Sequence, residues 1–124
     1  MSRTRLSEAR VVQTPAATMR TYASPTTARP APLAVWRTEM TPGSAGPVHI
    51  VDLDQVVVVV DGTLVAQLDG REEEVPAGDC LLLPGGSERR LSAGASGVVT
   101  LTSSVPGATA RAGDAEPVAV PWAR

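Results

Sequence analysis

The sequence predicts an all-β protein of eight or nine short strands closed into a barrel or sandwich. Three observations carry that prediction. Apolar residues alternate or cluster in short β-branched runs, with Val56 to Val60 the longest. Pro and Gly, 11 of each, punctuate the chain at short intervals. No stretch of useful length carries apolar residues at helical spacing, and the best candidate, Leu6 to Val12, is short.

Taken in order, the first ten residues read as a loose segment or one exchanged with a partner subunit. Residues 17–22 and 33–41 alternate, the second placing Leu33, Val35 and Arg37 opposite Ala34, Trp36 and Thr38. Pro42 to Pro47 is a turn cluster, followed by strands over Val48–Leu53 and Gln55–Val60. Asp61-Gly62 predicts a hairpin into Thr63–Leu68, and Asp69-Gly70 a second one into Arg71–Val75. Pro76 to Asp79 turns into the run Cys80–Leu83, and Pro84-Gly85-Gly86 turns again. Strands near Arg89–Ser92 and over Val98–Ser104 complete the body. These bounds divide the chain into an N-terminal arm (1–16), one barrel domain (17–105) and an irregular tail (106–124). The tail is expected to clip onto the barrel through Val118, Val120 and Trp122.

Composition removes several functions. The chain has 124 residues, enough for one domain with one core. Without Phe, and with only Tyr22, Trp36 and Trp122 as aromatics, that core is aliphatic. The net charge of -2, with both signs interspersed, gives no footprint for nucleic acid. No apolar run approaches the roughly 20 residues of a membrane span. The basic start MSRTRLSEAR leads into no hydrophobic stretch, and Cys80 has no partner for a disulfide. A cytoplasmic location is the expectation. The one histidine, His49, excludes multi-histidine metal sites.

One spacing is more specific. Gly43 is followed by His49, Val51, Gln55 and Gly62; after a gap of 15 residues come Gly78, Pro84, Gly86, Arg89 and Ala93. This register resembles the two motifs of the cupin superfamily, Gly-x5-His-x-His-x3-Glu-x6-Gly and Gly-x5-Pro-x-Gly-x2-His-x3-Asn. The short gap is that of small bacterial single-domain members. The resemblance implies a cupin-type double-stranded β-helix, or jelly-roll barrel. In metal-binding cupins, two His and a Glu of the first motif and a His of the second hold one divalent cation. Carried over by position, those sites are His49, Val51, Gln55 and Arg89. Val offers no donor, a carboxamide is a weak neutral one, and a guanidinium repels a cation. The resemblance therefore implies a barrel without a metal or other cofactor, a metal at His49 with atypical ligands being disfavoured.

Alternation and the motif register turn His49, Val51, Gln55 and Arg89 toward the barrel mouth, with Val57 and Trp36 as walls. Arg89 would take over the metal's positive charge and hold a carboxylate, phenolate or enolate, while His49 moves a proton. His49 and Arg89 are thus the candidate catalytic residues; Gln55, Trp36, Val51 and Val57 are the candidate ligand-binding residues. The expected function is binding of a small, anionic organic molecule, with a cofactor-free isomerisation, cyclisation or dehydration as the chemistry. The alternatives are a non-catalytic sensor and a metal-dependent enzyme using His49. Blander roles compete: Arg89 and Arg90 as a solvated pair or bridged to Glu88 or Asp54, Glu72 to Glu74 as a charged exposed edge, Cys80 as a small core residue, and Trp36 as a core or interface anchor. A homodimer is expected, from the family's habit and the edge strands of a small barrel.

Overall fold

Two long bent strands, paired along most of their length, organise the molecule. The computed structural model describes residues 1–124. After a single 3-10 turn at Leu6–Glu8, the strands are β1 (Arg10–Gln13), β2 (Thr18–Ala23), β3 (Ala34–Met40), β4 (His49–Val51) and β5 (Gln55–Leu68), followed by β6 (Arg71–Pro76), β7 (Cys80–Leu83), β8 (Glu88–Ser104), β9 (Thr109–Arg111) and β10 (Val118–Ala119). All pairs are antiparallel, in one sheet of 10 strands that curls on itself. The order is β1-β2-β3-β8-β4-β9-β10, with β5 against the other edge of β8 and with β6 and β7 on the far side of β5. This is the predicted all-β jelly-roll barrel. No helix is long and apolar enough to cross a membrane.

The bend makes a barrel out of one sheet. The Asp61-Gly62 hairpin expected from the sequence does not form; β5 runs straight through those residues. The ladder with β8 shifts register between Val59 and Asp61 and again between Gly62 and Leu64. These are bulges, which bend a strand without ending it. Gly62 has φ +73, the conformation that made it look like a turn. A Cβ there would overlap the carbonyl oxygen of Gly97, itself at φ +79. The same bend joins the two expected strands 89–92 and 98–104 into the single strand β8. Asp69-Gly70, by contrast, makes the expected hairpin, with Asp69 at φ 47 and Gly70 at φ 82.

Beyond the bend, alternation determines the inside. Val57 and Val59 of β5 are buried while Val56, Val58 and Val60 are exposed. One core cluster gathers Met40, Val57, Val59, Leu64, Val75, Leu83, Ala93 and Val98. A second gathers Met19, Ala34, Trp36 and Val51 with Ala108, Val120 and Ala123 from the chain's last segment. The sheet therefore reaches past residues 17–105 at both ends. β1 pairs with β2 of the same chain, so Arg10–Gln13 is neither helical nor loose. At the far end Val120 is buried and Trp122 packs beside it, but Val118 is exposed. The Thr21 hydroxyl donates to the Trp122 carbonyl at 2.7 Å, and Arg10 reaches the Arg124 carbonyl at 3.0 Å. Cys80 is exposed, not a core residue, because its ladder partner is the outward-facing Val58.

On the outer face, Glu39 of β3 accepts from Arg20 at 3.0 Å and from Arg37 at 3.2 Å. Partial burial raises its pKa, but the two guanidinium hydrogen bonds and charges outweigh that, and the net shift is downward. A lowered carboxylate pKa stabilises the fold above the ordinary value of 4.5, and this contribution is lost as pH falls through the folded value. Glu39→Gln is expected to cost at most about 1 kcal/mol at neutral pH, since solvent screens an exposed pair. Urea midpoints of the two proteins should converge as the solution is acidified; a gap that persists in acid contradicts this account.

Candidate functional site

Arg89 opens the inner face of β8. Its ladder neighbours are Leu68 of β5 on one side and His49 of β4 on the other. From there the side chain reaches across the barrel, and the residue is only 1% exposed. Nη1 donates to Gln55 Oε1 at 3.2 Å. Nη2 donates to the Pro84 carbonyl at 2.7 Å and to Ser87 Oγ at 3.0 Å, and Nε reaches the Ser87 carbonyl at 3.4 Å. Gln55, at the start of β5, is buried as well and stands beside Leu83 of β7.

The loop that supplies those acceptors is shaped by close backbone contact. A Cβ on Gly85 would sit 2.5 Å from the Asp52 carbonyl oxygen, so only glycine lets residues 84–87 lie against the β4–β5 bend. Asp54 secures the contact by accepting the Gly85 N–H at 2.7 Å. Asp52 accepts the N–H of Thr109 at 2.7 Å and its hydroxyl at 3.1 Å, tying the bend to β9. Both aspartates are thus structural.

Every hydrogen-bond acceptor around Arg89 is uncharged. The ion pairs of the protein join Arg20 and Arg37 to Glu39, and Arg29 to Glu8, all elsewhere. Arg89 is therefore not bridged to Glu88 or Asp54. Its pKa is pushed below the usual guanidinium value, first by burial; Asp69 and Asp54 oppose that shift at longer range. A buried cation without a carboxylate partner is costly, and such groups concentrate at functional sites. Arg90 points the other way, is exposed and donates to the Gly46 carbonyl at 3.0 Å.

The other expected residues surround this pair at different distances. His49 is half-buried, with Nδ1 2.8 Å from the Pro47 carbonyl. A carbonyl only accepts, so Nδ1 carries the proton and Nε2 is left as an acceptor. Val51 follows on the same face and is packed in the second cluster with Trp36. Trp36 and Val57 flank Thr102 of β8 from opposite sides, so all three share one row of the sheet. Gln55 and Arg89 are in direct contact, and His49 is adjacent by register. Val51, Trp36 and Val57, expected as ligand-binding walls, are packed inside the two core clusters and line neither of the cavities described below, because their ladder partners close over them.

These residues do not fit a metal. No group of three or more His, Cys, Asp or Glu side chains comes together anywhere in the protein. Among the four motif positions, His49 and Gln55 are the only donors, and the Arg89 guanidinium is hydrogen-bonded to Gln55.

One cavity lies at the side of the barrel. β5 is bordered by β8 along one edge and by β7 and then β6 along the other. The bend in β5 brings the unpaired edges of β6 and β7 to the same side. There Ala66, Leu68 and Leu81 line a cavity of 320 Å3, with Arg71, Glu72 and Glu73 at its rim. Glu72 to Glu74 are exposed on this free edge, as expected of a charged edge strand. Leu68 stands in the ladder between Arg71 and Arg89, and Leu81 pairs with Val57. A second cavity, of 230 Å3, lies beside the Asp69-Gly70 turn; Arg89 and Arg90 line it together with Gln67 and the carboxylates of Asp69, Glu72 and Glu88, whereas Arg89 does not line the first.

The Pro84 and Ser87 acceptors had no signal in the sequence, because a backbone carbonyl is independent of residue type. Thr100, Thr102 and Ser104 alternate in the sequence and are all buried. Period two defines two faces and does not say which is inner.

Comparison with known proteins adds a family. The profile described as the cupin domain matches residues 36–105. Among solved structures, the polyketide cyclase RemF from Streptomyces resistomycificus superposes with a TM-score of 0.71, at 21% identity over 87% of this chain and 83% of that one. An RmlC-like cupin from Shewanella frigidimarina gives 0.67, at 18% identity over 82% and 86%. Oxalate decarboxylase from Bacillus subtilis gives 0.69, at 17% identity over 81% of this chain and 28% of that one. No curated protein matches the sequence.

Proposed function

The chain belongs to the cupin family, and from that premise we propose that its barrel binds a small organic anion. The observation that carries this reading is Arg89, a buried guanidinium surrounded only by neutral acceptors. A ligand carboxylate or enolate supplies the negative charge that the protein itself does not place there. The ligand enters between β6 and β7 and lays its apolar part on Leu68 and Leu81.

The chemistry supported by this arrangement is a proton transfer without a cofactor. A carbon acid held by Arg89 gives its proton to His49 Nε2, and the electron pair moves onto the carbonyl oxygen as an enolate. The guanidinium stabilises that oxygen, and the proton returns to a different atom of the same molecule. Isomerisation and cyclisation both fit this sequence, which balances without an oxidant or reductant. RemF, a polyketide cyclase of the same fold, makes cyclisation a reasonable member of the set.

Calorimetric titration with phenylacetate, an apolar carboxylate, tests the reading. The protein should bind it saturably at millimolar concentration, and Arg89→Met should weaken binding at least about tenfold. Leu81→Trp, which fills the lateral cavity without touching Arg89, should do the same. Unchanged affinity in both variants, or no binding by the unaltered protein, sinks the proposal.

A further inference from the structure

The second half of β8 is turned inside out. Thr100, Thr102 and Ser104 are buried, while Val99, Leu101 and Ser103 are only half-buried on the other face. A strand that hides its hydroxyls and leaves its aliphatic residues in contact with water departs from the usual rule, and such departures mark functional sites. One hydroxyl stands out. Ser104 is 7% exposed, and its Oγ has no hydrogen-bond partner. Buried polar atoms without partners are rare and call for an explanation.

The register gives Ser104 its surroundings. It pairs with Ala34 of β3, which is fully buried and offers no polar side-chain atom to its hydroxyl. Val56 pairs with Ser103 in the β5 ladder, so the next step places Gln55 beside Ser104. Gln55 in turn holds Arg89. Adjacent cross-strand side chains start about 5 Å apart. Thr102, two residues back on the same face, carries a further hydroxyl next to Trp36.

We propose that Ser104 is a ligand-binding residue of the Arg89 site, and that the ligand is a carboxylate bearing a second oxygen on the adjacent carbon, a 2-hydroxy or 2-oxo acid. This rests on the anion-binding reading of Arg89 and narrows it. The carboxylate lies on the guanidinium, and the neighbouring oxygen, one or two bonds away, meets Ser104 Oγ. The hydroxyl suits either class, since it both donates and accepts. An acid without that oxygen leaves Ser104 unsatisfied and binds more weakly.

Matched probes separate this from the parent reading. Mandelate and phenylacetate differ by one hydroxyl on the carbon next to the carboxylate. The unaltered protein should prefer mandelate by about tenfold. Ser104→Ala should abolish that preference while leaving phenylacetate affinity in place. It should also raise Tm by about 4 °C, because a buried hydroxyl without a partner is removed. A preference that survives Ser104→Ala, or a Tm that falls, overturns the role of Ser104 and leaves the Arg89 reading standing. Failure of the unaltered protein to bind either acid overturns both.

Discussion

Arg89→Met is expected to destabilise the protein by about 3 kcal/mol or more, a fall in Tm of roughly 12 °C for a chain of this size. The guanidinium gathers Gln55 Oε1 with the carbonyls of Pro84 and Ser87 in the barrel interior. Removing it leaves the buried Gln55 oxygen without a donor, and a stranded polar group costs more than the bond contributed. The Pro84 carbonyl suffers less, since the Ser87 hydroxyl also donates to it at 2.6 Å. The double variant Gln55→Leu/Arg89→Met should therefore recover most of the loss, because it replaces both members of the polar pair with apolar side chains. Neither variant should bind phenylacetate. A single variant as stable as the original would show that the guanidinium is solvated and that the buried network does not exist. A double variant no better than the single would place the loss in packing instead of in the stranded oxygen.

Gly62→Ala is the second large effect, and it acts on the fold. The new methyl group would occupy the space of the Gly97 carbonyl oxygen, in the ladder between β5 and β8. The left-handed backbone at φ +73 adds its own strain for any residue with a Cβ. Together these should cost about 3 to 5 kcal/mol, enough to leave a domain of this size largely unfolded or aggregated. Gly70→Ala is the control. It too has positive φ, but no atom lies within 4 Å of its added Cβ, so only the backbone strain applies. Circular dichroism melts of the pair should separate by several degrees; equal losses would mean that the contact across the bend contributes nothing.

Much of the fold was legible because it depends on local pattern. Alternation located β2 and β3, Asp69-Gly70 marked a true hairpin into β6, and the Gly43 to Ala93 spacing, through its resemblance to the cupin motifs, pointed to the barrel and to Arg89. Asp61-Gly62 shows the limit of that kind of information. The dipeptide required positive φ, and the structure supplies it, yet positive φ serves a bulge as well as a turn. The choice was made by β8, which runs alongside both halves of β5 and brings Gly97 against Gly62.

The site divides in the same way. Alternation puts His49 and Gln55 on one face, and the resemblance to the second cupin motif adds Arg89 to it. The character of Arg89 does not. A surface arginine and a buried one read identically, and only the folded chain shows that its partners are a carboxamide, a hydroxyl and two carbonyls, with no carboxylate among them. The burial of Ser104 and the cavity beside Leu68 and Leu81 are likewise tertiary facts. The sequence by itself determined the all-β class, the motif register and the residue types at the motif positions. Tertiary structure decided which face of β8 is inner, where the barrel bends and which residues surround Arg89, because those depend on contacts between residues far apart in the chain.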